Sequence, residues 1–143
     1  MTGTYPDRRL EDLLHEPMET LDVELKGWID PTNDIDKAKI AKAILAHANS
    51  GGGFIVIGCD QIESKYELLE DNANYLGKYD HDAINHITKR YCDPQIHVEC
   101  RVVAAKDKKH PVLIVPGNHT VPIRCASDAP DSSIRVNKYY IRK

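Results

Sequence analysis

The spacing of hydrophobic and polar positions changes several times along the chain, and each change marks an element. Leu10, Leu13 and Leu14 recur at helical spacing within Tyr5 to His15, with Asp7 placed to cap and Pro17 to stop, which predicts a short amphipathic helix. From Leu21 to Leu25 the period drops to two. Leu21, Val23 and Leu25 alternate with Thr20, Asp22, Glu24 and Lys26, predicting a half-buried strand with Glu24 turned away from the core beside Lys26. Gly27 to Asn33, containing Pro31, reads as a loop. Asp34 to Asn49 returns to helical spacing, with Ile40, Ala41, Ile44, Leu45 and Ala48 as one stripe and Lys37, Lys39 and Lys42 on the wet side. The run Ser50-Gly51-Gly52-Gly53 ends that helix.

Phe54 to Cys59 is apolar at every second position of both sets, the pattern of a central strand covered on both faces. Gln61 to Lys78 is polar and predicts an exposed loop with local order only. In Asp80 to Tyr91, Ile84, Ile87, Thr88 and Tyr91 fall at helical spacing behind a possible Asp80 cap. The remainder reads as strands at His97 to Val103, Pro111 to Val115, Val121 to Cys125 and Tyr139 to Arg142, separated by turn signals at Lys106 to Lys109, Gly117-Asn118 and Asp128 to Ser133. This order predicts an α+β fold: a mixed, mostly antiparallel sheet with helices packed on it.

A chain of 143 residues is long enough to bury one core and short for two, so a single domain over residues 1–143 is expected. The longest apolar runs fall far short of the roughly 20 residues that span a bilayer, and the charged start is unlike a signal peptide. A cytoplasmic protein with no membrane partner is the expectation. Cys59, Cys92, Cys100 and Cys125 lack a paired spacing, which fits reduced thiols. The net charge of -3 argues against a dedicated nonspecific DNA binder and leaves room for a local basic patch.

Three acids are carried by strands: Glu19 at the start of the first, Glu24 within it, and Asp60 at the far end of the apolar strand. Held together, they would ligate Mg²⁺ or Mn²⁺, lower the pKa of a bound water and neutralise charge developing on a phosphate, with Lys26 as an electrostatic helper. Solvated acids at strand ends account for the same spacing. Gly51-Gly52-Gly53 follows a helix instead of preceding one, so no nucleotide cofactor is expected. In the strand from His97, Cys100 faces opposite to His97, which disfavours a zinc site with Cys92 and leaves buried structural thiols. Lys89 and Arg90 near Tyr91, and Arg135, Lys138, Arg142 and Lys143 around Tyr139 and Tyr140, combine cations for phosphates with rings for unpaired bases. An edge strand protected by charge is the plainer account of the latter group.

These segments resemble the Schlafen AlbA-like domain family. The resemblance rests on Glu19 with VELK at Val23 to Lys26, on AHANSGGGFIVIGCD ending at Asp60, on DPQIHVE at Asp93 to Glu99, on VLIVPGNHTVPIR at Val112 to Arg124 and on the terminal KYYIRK. It implies a core over 19–143 preceded by a helical extension over 1–18. Members related to animal Schlafens are metal-dependent ribonucleases that cut structured RNA such as tRNA, with two glutamates five positions apart and one aspartate. Glu19 and Glu24 match that spacing, and Asp60 is the nearest match to the aspartate, with Glu63 as substitute. Cys59-Asp60-Gln61 departs from the commoner doubly acidic turn, and Leu25 stands where Phe is frequent. The resemblance therefore implies a metal-dependent endoribonuclease acting on RNA in preference to duplex DNA, or a noncatalytic DNA- or RNA-binding or assembly module within a larger regulator. It also implies a homodimer, since animal Schlafens build a groove from two such lobes.

Overall fold

A computed structural model describes residues 7–143; the expected helix start at Tyr5 and the side chain of the expected cap Asp7 lie outside that description. The chain runs α1 (Asp7–His15), β1 (Val23–Lys26), α2 (Asp34–Ala48), β2 (Gly53–Ile57), β3 (Cys59–Ile62), β4 (Lys65–Leu68), α3 (Ala73–Leu76), α4 (His81–Tyr91), β5 (Cys92–Asp93), β6 (Glu99–Ala105), β7 (Lys108–Val115) and β8 (Arg124–Cys125). The main sheet has the order β1-β2-β7-β6. Only β1 and β2 pair in parallel there, and α2 forms the crossover that parallel neighbours require. The rest of that sheet is antiparallel.

The apolar run predicted for the centre of the sheet is β2, and its alternation assigns one residue set to each face. Ile55 and Ile57 pack with Leu113 and Val115 under α2 and α4, whereas Phe54 and Val56 pack with Val112 and Ile114 under Leu10, Leu13 and Leu14 of α1. Asn33 caps α2 by accepting from the backbone N–H groups of Ile35 and Asp36, each at 3.0 Å, and Asp80 caps α4 through the N–H of Ala83. The glycine run serves as a helix stop. Gly52 has φ +85 and donates to His47 O, and a Cβ there would lie 2.7 Å from Val115 O.

The strand expected over 54–59 ends at Ile57, the one expected over 97–103 runs Glu99–Ala105, and four segments differ more deeply. The predicted exposed loop 61–78 contains the β3–β4 hairpin and α3; consecutive left-handed residues Glu63 (φ 49) and Ser64 (φ 69) close the hairpin without the usual Asn-Gly signal. The first strand starts at Val23, because Thr20 and Val23 exchange backbone hydrogen bonds across a turn that leaves Leu21 60% exposed. Of the strand expected over 121–125, only Arg124 and Cys125 pair, with Asp93 and Cys92. Pro122 has no N–H, and both backbone groups of Ile123 bond the Asn49 side chain. Residues 139–142 form no strand either. Tyr140 O accepts from Asn49 Nδ2 and Arg142 N donates to Ser50 Oγ, so side chains of the α2 end replace a neighbouring strand. All four cysteines are free and buried, and burial raises the thiols of Cys59, Cys92 and Cys100 to about 12, as inert structural thiols should be.

Candidate functional site

Strand β1, helix α2 and residues 141–143 enclose a cleft of about 840 Å³. The floor comes from helical spacing: Lys39, Lys42, Ala43 and Ala46 fall at i, i+3, i+4 and i+7, so two lysines rim a strip where alanine leaves room. The wall comes from strand spacing. Val23 and Leu25 face α1, which turns Glu24 and Lys26 toward α2. Glu24 does turn from the Val23 side, as its alternation predicts, but into this cleft, where its side chain is only 13% exposed.

Glu24 is surrounded by cations. Lys26 Nζ and Arg142 Nη1 each lie 2.8 Å from its carboxylate. Burial alone pushes its pKa up, yet His47, Lys26 and Arg142 outweigh that penalty and bring it down to about 2. His47 is a residue that sequence reasoning passed over, because position 47 falls among the apolar residues of α2. It is fully buried, and its Nε2 faces Glu24 Oε1 at 3.6 Å, longer than a hydrogen bond, so neither ring nitrogen has a hydrogen-bond partner among the described residues. Arg142 is engaged on every side: besides Glu24 it donates to Thr20 O at 2.6 Å, Val23 O at 3.2 Å and Leu21 O at 3.3 Å. It acts as a clasp, and a phosphate would have to displace those contacts to reach it.

Glu19 lines the same cleft, accepting from Leu25 N at 3.1 Å and from the Tyr66 hydroxyl at 3.3 Å. Asp60 does not join them. Gly58, with φ +93, breaks the apolar strand after Ile57, so Asp60 belongs to the β3–β4 hairpin. There Cys59 and Gln61 share a face with Leu68 and Tyr66, the face that reaches the core and Glu19, while Asp60 pairs with Glu67 on the other face and is exposed. Glu63, in the hairpin turn, also lies outside the cleft lining. Among the described residues no three His, Cys, Asp or Glu side chains gather as metal ligands. The two acids in the cleft do not fit a divalent cation as arranged, since Glu24 is already neutralised by Lys26 and Arg142 and both Glu19 oxygens accept hydrogen bonds.

With the sheet order and this cleft in place, residues 19–143 match the family described as Schlafen, AlbA_2. The chain belongs to that family. The Schlafen, AlbA_2 family is a nucleic-acid-related one. Two solved structures share the fold. One is the DIP2311 protein from Corynebacterium diphtheriae, with a TM-score of 0.58 and 15% identity over 82% of this chain and 24% of that one. The other is the N-terminal domain of a protein from Nitrosomonas europaea named as related to the RecG ATP-dependent DNA helicase, with a TM-score of 0.57 and 17% identity over 98% of this chain and 90% of that one. This chain thus spans 24% of the length of the corynebacterial protein. No curated protein matches it.

In this Schlafen, AlbA_2 chain the motif asparagine, Asn49, has a structural role, stapling Ile123 and Tyr140 to the end of α2. The predicted basic residues divide into three places. Arg142 and Lys143 line the cleft with Lys39 and Lys42. Arg135 and Lys138 border a separate depression with Asp128, and Lys89 and Arg90 are exposed on α4, where the Arg90 guanidinium lies 5.0 Å from the Tyr91 ring. Tyr139 lies against a further groove beside the cleft. No described helix is long and apolar enough to cross a membrane.

Proposed function

We propose that this domain binds nucleic acid by seating the sugar–phosphate backbone in the cleft. The observation that carries this reading is the charge of the lining. Among the described residues five cations (Lys26, Lys39, Lys42, Arg142 and Lys143) face two carboxylates (Glu19 and Glu24), in a chain whose net charge is -3. Lys26 and Arg142 neutralise Glu24 and Lys39 lies 3.7 Å from Asp36, which leaves Lys42 and Lys143, with no acidic partner among the described residues, as the first cations for phosphates. Local cationic clefts of this kind attract a polyanion even when the whole molecule is acidic.

Cleavage has weaker support. A metal-dependent endoribonuclease would need a third ligand beside Glu19 and Glu24, and Asp60 points from the far face of its hairpin. The geometry therefore favours the noncatalytic binding module over the nuclease that the resemblance implies.

Fluorescence anisotropy at several salt concentrations tests the binding. Lys42→Ala with Lys143→Ala should weaken binding of any strand and lower the salt slope by roughly one for each phosphate contact removed. Unchanged affinity and slope would reject the cleft as the docking surface. Running RNA, single-stranded DNA and duplex DNA side by side measures the RNA preference, and adding Mn²⁺ with gel analysis checks for cleavage.

A further inference from the structure

Beside the cationic cleft, and sharing Ile141 with it, lies a groove of about 480 Å³ between the end of α2, the loop 118–122 and residues 139–141. Its size falls within the roughly 300–1,000 Å³ of small-molecule sites. Its lining carries no Lys, Arg, Asp or Glu; Tyr139, Val121, Pro122 and Ile141 supply apolar surface, and Asn118, His119 and Thr120 supply polar groups. Exposure alternates along the segment that separates the two depressions. Tyr140 and Arg142 turn inward and are held, whereas Tyr139, Ile141 and Lys143 turn outward.

The contrast between the adjacent tyrosines is informative. Tyr140 accepts from Arg135 N, lies 5.7 Å from the Lys42 ammonium and has its carbonyl fixed by Asn49. Tyr139 is 55% exposed, and its side chain makes no hydrogen bond or ring contact among the described residues. Val121 at 50% and Ile141 at 59% are exposed beside it. Asn49 holds both walls, through Ile123 on one side and Tyr140 on the other, so the groove is shaped before a ligand arrives.

We propose that this groove takes an unpaired base of a single-stranded nucleic acid, stacked on Tyr139, while the adjoining phosphates lie in the cationic cleft. A neutral, apolar slot with an unengaged ring suits a base, and its continuity with a cationic cleft says what the rest of that ligand must carry. A base held in a duplex stack cannot enter, so the proposal specifies single strands. It rests on the phosphate-docking reading above and goes beyond it.

The test compares three kinds of fluorescent ligand of equal length: base-bearing single strands (an oligouridine and an oligothymidine), single strands with abasic positions, and a duplex. The wild type should bind both base-bearing single strands more tightly than the abasic strand. Tyr139→Ala should weaken the base-bearing strands by about 5- to 150-fold, the range for loss of one stacked base, and leave the abasic strand unchanged. Tyr139→Phe should restore binding to within about twofold, since the ring face is retained. Lys42→Ala with Lys143→Ala should weaken base-bearing and abasic strands alike. Equal binding of base-bearing and abasic strands, or equal binding of duplex, overturns the base slot and leaves phosphate docking standing. No binding of any strand overturns both. A dimer in sedimentation that Tyr139→Ala dissolves, with strand binding unaltered, assigns the groove to a second copy of this chain and overturns the base slot.

Discussion

The main sheet and residues 117–143 both pack against α2, but different chemistry holds them. In the sheet, β2 is buried on both faces by apolar neighbours from β7, α1, α2 and α4. The later segment has Ile123, Cys125, Ala129 and Ile134 as buried apolar anchors, and between them it is tied by directed polar contacts: Asn49 to Ile123 and Tyr140, Ser50 to Arg142, Arg142 to Glu24, and Asp128 to Val136. Apolar burial is non-directional and shared among many neighbours, so the sheet should open as a unit. Each polar tie contributes about 1 kcal/mol and can be broken singly, so the segment should open locally. The cationic cleft and the groove beside it lie along that second region.

The largest effect should come from the sheet. Ile55→Ala removes a fully buried side chain between the β sheet and α2 and should cost about 2 to 5 kcal/mol of global stability. Urea unfolding followed by circular dichroism measures it. Loss of the signal in two separated transitions would show that the sheet does not open as a unit.

Asn49→Ala is the matching experiment on the other region. It removes three hydrogen bonds, from Asn49 Nδ2 to Ile123 O and Tyr140 O and from Ile123 N to Asn49 Oδ1, and should cost about 2 to 3 kcal/mol. Hydrogen exchange should show the amides of Ile123 and Arg142 opening faster while those of Ile55 and Val56 keep their protection. Equal acceleration in both sets would abolish the distinction.

This difference also decides what was legible in the chain. The strand Phe54 to Ile57, the α2 stripe and the Asp80 cap were readable because burial leaves a periodic trace and caps are chosen by residue type. The expected strands over 121–125 and 139–142 were misplaced because their backbone groups bond the side chains of Asn49 and Ser50, and such ties have no period. Glu24 and Lys26 were readable as a charge pair from strand alternation. His47 was not, since a buried histidine within an apolar stripe looks like any other core position until its neighbour Glu24 is seen 3.6 Å away. The place of Asp60 in a separate hairpin was not legible, for a local reason. Gly58 ends one strand and starts another, which changes the face on which the acid emerges.

Acid should separate the regions further. The folded pKa of Glu24, about 2, lies below its ordinary 4.5, so its ionised form stabilises the fold at any pH above 4.5, and that contribution is lost as the pH falls from 4.5 toward 2. The size is on the order of 3 kcal/mol at most, and smaller if the unfolded chain also lowers the pKa. Glu24→Gln removes the ionisation. The gap in unfolding free energy between wild type and Glu24→Gln should be widest near neutral pH and shrink over that interval. A gap that stays constant down to pH 2 would mean that Arg142 and Lys26 do not depend on the charge of Glu24.

The smallest effect should be at Asp60. The side chain is exposed and, among the described residues, accepts only from Gln61 N, so Asp60→Asn should change stability by less than about 0.5 kcal/mol. It should also leave strand binding intact, because Asp60 is outside the lining of the cleft. The same variant examines metal binding without relying on activity. An ion held by Glu19, Glu24 and Asp60 would bind the folded chain alone and raise its melting temperature with metal concentration. Millimolar Mn²⁺ should leave wild type and Asp60→Asn with the same small shift. A rise seen in wild type and lost in Asp60→Asn would mean that the hairpin can turn Asp60 toward Glu19, through the Tyr66 contact that already joins the two, and would restore the three-acid site.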